Sequence, residues 1–192
     1  MLSHGYIIGG FASLKIYYWP LQYLLKKHGL DVELIHPGPL GLNIWPLSSF
    51  EAEISRILDT LDHPIFLIGH SLGGIQAVWA ANSHPDKIQK VFAIASPLHG
   101  SPWAVYEEGI RTLLNVSLER YNEFKHIMLP SVAPKLITIS SMSDVLAPIG
   151  QCAVKDAKNY SIEVGDEFIA TCHLIMPYLS ASIEIIKREL AE

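Results

Sequence analysis

Charge is scarce in this chain: Asp, Glu, Lys and Arg make up 17% of its 192 residues, against 49% apolar residues. A net charge of -5 gives no electrostatic reason to expect nucleic acid or an anionic membrane surface as a partner. The densest basic spots, Lys26-Lys27 and Lys187-Arg188, fall late in two expected helices, where cations complement the helix dipole. Cysteine is rarer still. Cys152 and Cys172 form no CxxC or zinc spacing, so no metal is expected, and free, partly buried thiols are expected ahead of a disulfide between them. No apolar run reaches the ~20 residues that cross a bilayer, so no transmembrane segment is expected. The opening Met1-Leu2-Ser3-His4-Gly5 lacks the basic start and apolar middle of a signal peptide. That points to the cytoplasm, unless an export signal stands ahead of it. Repeats, low-complexity tracts and linkers are also missing, which leaves one domain over residues 1–192.

What is there is a steady alternation of short apolar runs and longer stretches of helical period. Strands are expected at Gly5–Ile8, Val32–His36, Pro64–Ile68, Lys90–Ala95, Lys135–Ser140 and Tyr160–Val164. Helices are expected at Ile16–His28, Ser48–Leu61, Leu72–Ser83, Pro102–Ile127 and Leu174–Leu190. Runs such as Ile65-Phe66-Leu67-Ile68 and Val91-Phe92-Ala93-Ile94 are apolar throughout, the pattern of strands covered on both faces. The fold class is therefore α/β, with about six mostly parallel strands flanked by helices on both faces. His28-Gly29 closes the first helix, and Pro37-Gly38-Pro39-Leu40-Gly41 reads as an exposed loop. Pro102–Ile127 is either one helix or two broken near Asn115, and it is long enough for about 101–130 to overhang a site as a small lid.

The chemistry-bearing segment is Gly69-His70-Ser71-Leu72-Gly73-Gly74. Directly after a strand and before a helix, the chain turns so sharply that the serine takes a strained conformation, and flanking glycines remove colliding side chains. The bare pattern is common; its context is what gives it weight. The helix start leaves the Leu72 N–H free to meet negative charge developing beside Ser71. A serine hydroxyl needs a base, and the base needs an orienting carboxylate. In a strand–turn–helix serine site of this kind the acid and then the histidine follow the serine. Of nine histidines, His173 alone follows the strand expected to deliver the acid. It is expected in a loop before the last helix. Ten acids lie between Ser71 and His173. Asp144 is favoured because it sits in the loop after Leu136-Ile137-Thr138-Ile139-Ser140. Asp86 and the acids of 107–123 lie on other elements, Asp156 competes weakly, and Asp166 and Glu167 read as solvent-facing charge. The loop Gly9-Gly10-Phe11-Ala12-Ser13 is expected to supply a second oxyanion donor, the Phe11 N–H, with Gly10 or Ala12 as alternatives. It lacks the spacing of a dinucleotide fingerprint or a phosphate-binding lysine loop.

Together these segments resemble the α/β-hydrolase superfamily, and within it the small bacterial lipases and phosphatidylinositol-glycan-deacylase-like lipases. Gly9-Gly10-Phe11-Ala12-Ser13 is similar to that family's His-Gly-Phe-x-Ser loop, with Gly9 in place of the usual histidine. Tyr18-Trp19-Pro20-Leu21 resembles the helix that follows it, and Ser96-Pro97-Leu98-His99-Gly100-Ser101 and Ser141-Met142-Ser143-Asp144 also fit. The resemblance implies the minimal α/β-hydrolase fold, without the two antiparallel edge strands of larger members.

The expected activity is carboxylic-ester hydrolysis through Ser71, His173 and Asp144. A thioesterase or amidase with the same triad is the alternative within chemistry, and a non-catalytic binding protein the alternative outside it. Gly10, Phe11, Ile16, Tyr17, Trp45, Leu98, Trp103, Val145 and Leu146 are expected to line an apolar acyl groove, so the partner is a small ester with a lipid-like acyl part. No cofactor is implied, and His70 and His99 are expected to be structural or supporting residues.

Overall fold

In the computed structural model, residues 4–35, 43, 46–100 and 104–192 are described. The Pro37–Gly41 loop, Trp45, Trp103 and the Asp166 side chain, on which expectations were placed, lie outside the described residues. Six strands form one sheet: β1 His4–Ile8, β2 Asp31–Ile35, β3 Ile65–His70, β4 Ile88–Ile94, β5 Leu136–Ser140 and β6 Lys158–Ser161. They lie in the order β2-β1-β3-β4-β5-β6, and every pairing is parallel. The order reverses at β1 and β3, and a crevice opens beyond the carboxyl ends of strands at such a reversal.

The continuous apolar runs are explained by the two faces of the sheet. On one face Ile7, Phe66, Ile68, Phe92 and Ile94 meet Tyr18, Leu21 and Leu25 of α1 (Lys15–Lys27) and Ile183, Ile186 and Leu190 of α9 (Ser180–Ala191). On the other, Ile8, Leu67, Val91 and Ala93 meet α2 (Leu47–Asp59) and α3 (Leu72–Ser83). Phe50, Ile54 and Leu58 recur along α2 at helical spacing and are all buried, while Glu53 and Arg56 pair on its outer side. α3 is buried from Leu72 to Ala81 and so carries no polar face.

Several boundaries differ from the sequence reading. Of the two forms expected for Pro102–Ile127 the structure has the one broken at Asn115, whose φ of 51° ends α4 (Ala104–Leu114) before α5 (Leu118–Glu123). A π-helical turn Phe124–Met128 and the short α6 (Leu129–Val132) continue from α5. Phe124 stacks on Trp79 at 5.5 Å, and Tyr121, Phe124, Leu129 and Val132 are core residues. A one-turn α7 (Ile149–Cys152) follows β5. β6 begins at Lys158, two residues before the expected Tyr160, because the polar Lys158 and Asn159 pair with Ile137 and Thr138. The Asn159 side chain also accepts from Thr138 Oγ1 at 2.7 Å. The expected Leu174–Leu190 helix is two helices: Pro177 interrupts it, leaving α8 (Cys172–Ile175) ahead of α9. His173 therefore stands in a one-turn helix rather than a loop. Cys152 and Cys172 are free and buried, and burial pushes both thiol pKa values up.

Candidate active site

Ser71 closes β3 and caps α3 with φ 54° and ψ -120°, a left-handed backbone that a non-glycine residue adopts only under constraint. The glycines around it are there for close approach. A Cβ on Gly69 would land on the Gly73 carbonyl, and one on Gly73 would land on the carbonyls of Ile8 and Gly9. The Ser71 N–H is spent on the Ile94 carbonyl at 2.9 Å, while Leu72 opens α3 and its N–H has no acceptor within the helix.

Asp144 and His173 come together from segments 29 residues apart. His173 Nδ1 lies 2.8 Å from Asp144 Oδ2, and Oδ1 accepts from the N–H groups of Leu146 at 2.9 Å and Ala147 at 3.0 Å. Only 1% of Asp144 is exposed. Burial alone would raise its carboxyl pKa; the hydrogen bond and charge of His173 and the two amides outweigh that and hold it below the usual carboxylate value.

The amides of the Gly9–Ser13 loop are sorted by their partners. Gly10 N–H donates to Tyr18 Oη at 2.7 Å and Ala12 N–H to the Asn43 carbonyl at 2.9 Å. Among the described residues, the Phe11 N–H has no acceptor. Asn43, fully buried, also donates from Nδ2 to the Gly9 carbonyl at 2.6 Å and to Gln76 Oε1 at 2.9 Å. Asn43, Gln76 and Tyr18 carried no local signal in the sequence, since their contacts are with residues up to 52 positions away.

A cleft of about 1140 Å3 runs past these groups, walled by Gly10, Phe11, Ile16, Tyr17, Ser71, Leu72 and His173 among others. Gly109, Ile110 and Leu113 of α4 form its far side, which the sequence reading had not singled out residue by residue. Two expected groove residues stand elsewhere. Leu98 is fully buried in the core beneath the sheet's helices, and half-exposed Val145 leaves the wall to its neighbour Leu146. His70 is buried between Tyr18 and His173, and its pKa is pushed down to about 3 by burial and by the nearby His173. His99 Nε2 sits 3.0 Å from the Ala153 carbonyl. Among the described residues no group of three or more His, Cys, Asp or Glu could hold a metal ion, and no helix is long and apolar enough to cross a membrane.

Comparison with known proteins gives the same architecture. The ydeN gene product from B. subtilis superposes with a TM-score of 0.68 at 17% identity, over 99% of this chain and 100% of that one. A Paleococcus ferrophilus monoacylglycerol lipase superposes with a TM-score of 0.61 at 16% identity, over 94% of both chains. A pyrethroid hydrolase of Sphingobium wenxiniae is 30% identical over 74 residues, which is 38% of this chain and 26% of that protein. The matched stretch thus spans about a quarter of that relative's length. The alpha/beta hydrolase fold family matches over residues 7–125, more than half of the chain. With its six-stranded parallel sheet and helices on both faces, the chain belongs to the alpha/beta hydrolase fold family.

Proposed function

We propose that this hydrolase cleaves carboxylic esters with an apolar acyl part, through an acyl-enzyme on Ser71. Ser71 Oγ attacks the ester carbonyl carbon and its proton passes to His173 Nε2, while His173 Nδ1–H donates to Asp144 Oδ2. The Leu72 and Phe11 N–H groups receive the developing oxyanion. His173 then protonates the leaving alcohol, and a water activated by the same imidazole releases the acid and restores Ser71. The single observation that carries this reading is the 2.8 Å contact of His173, which lies with Ser71 on the cleft, with the buried carboxylate of Asp144. Phe11, Leu14, Ile16, Ile110, Leu113 and Leu146 on the cleft wall support an apolar acyl group, and the likeness to a named lipase is in keeping with it.

A fluorophosphonate probe tests the proposal. The folded protein should be labelled on Ser71 and should hydrolyse p-nitrophenyl butyrate. Both signals should vanish in Ser71→Ala and fall to background in His173→Ala. An unlabelled, inactive wild-type protein overturns it.

A further inference from the structure

The two segments proposed to serve the same ester group are far apart in the chain: the Gly9–Ser13 loop and α8 with His173. Side chains from α1 and β3 join them. Gly10 N–H donates to Tyr18 Oη, Tyr18 Oη lies 2.7 Å from His70 Nδ1, and His70 Nε2 lies 2.8 Å from the His173 carbonyl. The last partner decides the direction of the whole series. A carbonyl only accepts, so His70 carries its proton on Nε2 and its bare Nδ1 accepts from the Tyr18 hydroxyl. The Tyr18 hydroxyl and the His70 imidazole therefore each receive one bond and donate one, between the Gly10 amide and the His173 carbonyl.

The last carbonyls of a helix have no partners inside it. In α8 two of them are taken from outside: His173 by His70, and Leu174 by the Tyr17 hydroxyl. Tyr178 Oη donates in return to the Tyr17 carbonyl, and the Tyr17 and Tyr178 rings meet edge to face at 5.2 Å. At the other end, Tyr18 occupies the Gly10 amide and Asn43 the Ala12 amide, the two that flank Phe11.

We infer that Tyr18, acting through His70, is a positioning residue that sets the oxyanion loop and the base-bearing helix in one fixed relation. This rests on the proposed roles of Ser71, His173 and the Phe11 N–H. Tyr18 is fully buried and touches the reaction only through its neighbours. Without its hydroxyl, the Gly10 amide and His70 Nδ1 both lose their partners, and the loop and the imidazole can shift independently. A misplacement of about 1 Å is enough to cost about 100-fold in rate.

The test is Tyr18→Phe, which keeps the buried ring, together with His70→Leu and the double variant, assayed on p-nitrophenyl butyrate below their melting temperatures. The expected result is a kcat lowered about 10- to 100-fold in Tyr18→Phe with KM within about twofold. The double variant should lose no more than the worse single variant, because one series is broken only once. Hydrogen exchange should speed up in both Gly9–Ser13 and Cys172–Ile175 in Tyr18→Phe. Unchanged kcat, multiplying losses in the double variant, or exchange changed in one segment alone overturns the inference. An active wild type with an indifferent Tyr18→Phe removes only this positioning role; an inactive, unlabelled wild type removes the esterase reading and this role with it.

Discussion

Asp144 divides its carboxylate between two directions: Oδ2 meets His173 Nδ1 at 2.8 Å, while Oδ1 is tied to the backbone of Leu146 and Ala147. The carboxylate is thus fixed from one side and presented to the imidazole from the other. Asp144→Asn keeps the size and the backbone contacts but offers the imidazole an amide, which favours the wrong tautomer. Ester turnover should fall about 1,000- to 10,000-fold with the fold intact, as steady-state kinetics beside circular dichroism would reveal.

His70 gives a pH dependence of stability. Its folded pKa is pushed down to about 3, chiefly by burial, against about 6.5 in an unfolded chain. Between these values the unfolded chain binds the extra proton and the folded chain does not. The stabilisation is therefore full above about pH 6.5 and is lost as pH falls toward about 3, at up to about 1.4 kcal/mol per pH unit. Urea midpoints measured from about pH 7 down to about pH 4.5 should fall, and fall less steeply in His70→Asn. That range stays above the window in which Asp144, whose folded pKa is lowered, gives up its own contribution.

The turn at Ser71 leaves no space for side chains at its glycines. Gly73→Ala puts a methyl group onto backbone carbonyls of β1, which cannot move aside as a side chain would. A loss of about 3 kcal/mol or more is expected, read from chemical denaturation, or failure to accumulate folded protein.

Gly109 offers the opposite case. It lies on the cleft wall within α4, and a Cβ there meets nothing within 4 Å. Gly109→Ala should raise stability by about 0.5–1 kcal/mol through helix propensity alone. Gly109→Phe should fill the part of the cleft proposed to take the acyl group. Each methylene excluded forfeits about 0.8 kcal/mol, nearly fourfold in kcat/KM, so the preference along an acetyl-to-palmitoyl series should move toward short chains.

The sheet was legible because buried parallel strands are apolar at every position, as Phe66–Ile68 and Phe92–Ile94 are. The turn at Ser71 was legible because its glycines answer a local steric demand, and the candidate base because chain order leaves one histidine. What escaped reading depends on distance in sequence. Nothing near Asn43 announces that it will hold the Gly9 carbonyl, and nothing near Tyr18 announces a bond to His70. Leu98 shows the reverse problem: an apolar residue close to a motif carries no sign of whether it faces a cleft or the core, and this one is buried. Pro177 was a visible helix breaker passed over because apolar residues keep a helical spacing on both sides of it.

The wall supplied by α4 has a consequence for how such a protein changes over time. That helix lies between two residues with left-handed backbone, Gly100 (φ 93°) and Asn115 (φ 51°). The groups proposed to carry out chemistry stand on β3, α3, α8 and the loops after β1 and β5. Part of the cleft wall is therefore written in a stretch of chain separate from the groups proposed to cleave the bond. A graft exchanging residues 104–114 for a helix of different bulk should reshape that wall while the groups proposed to carry out chemistry are inherited unchanged.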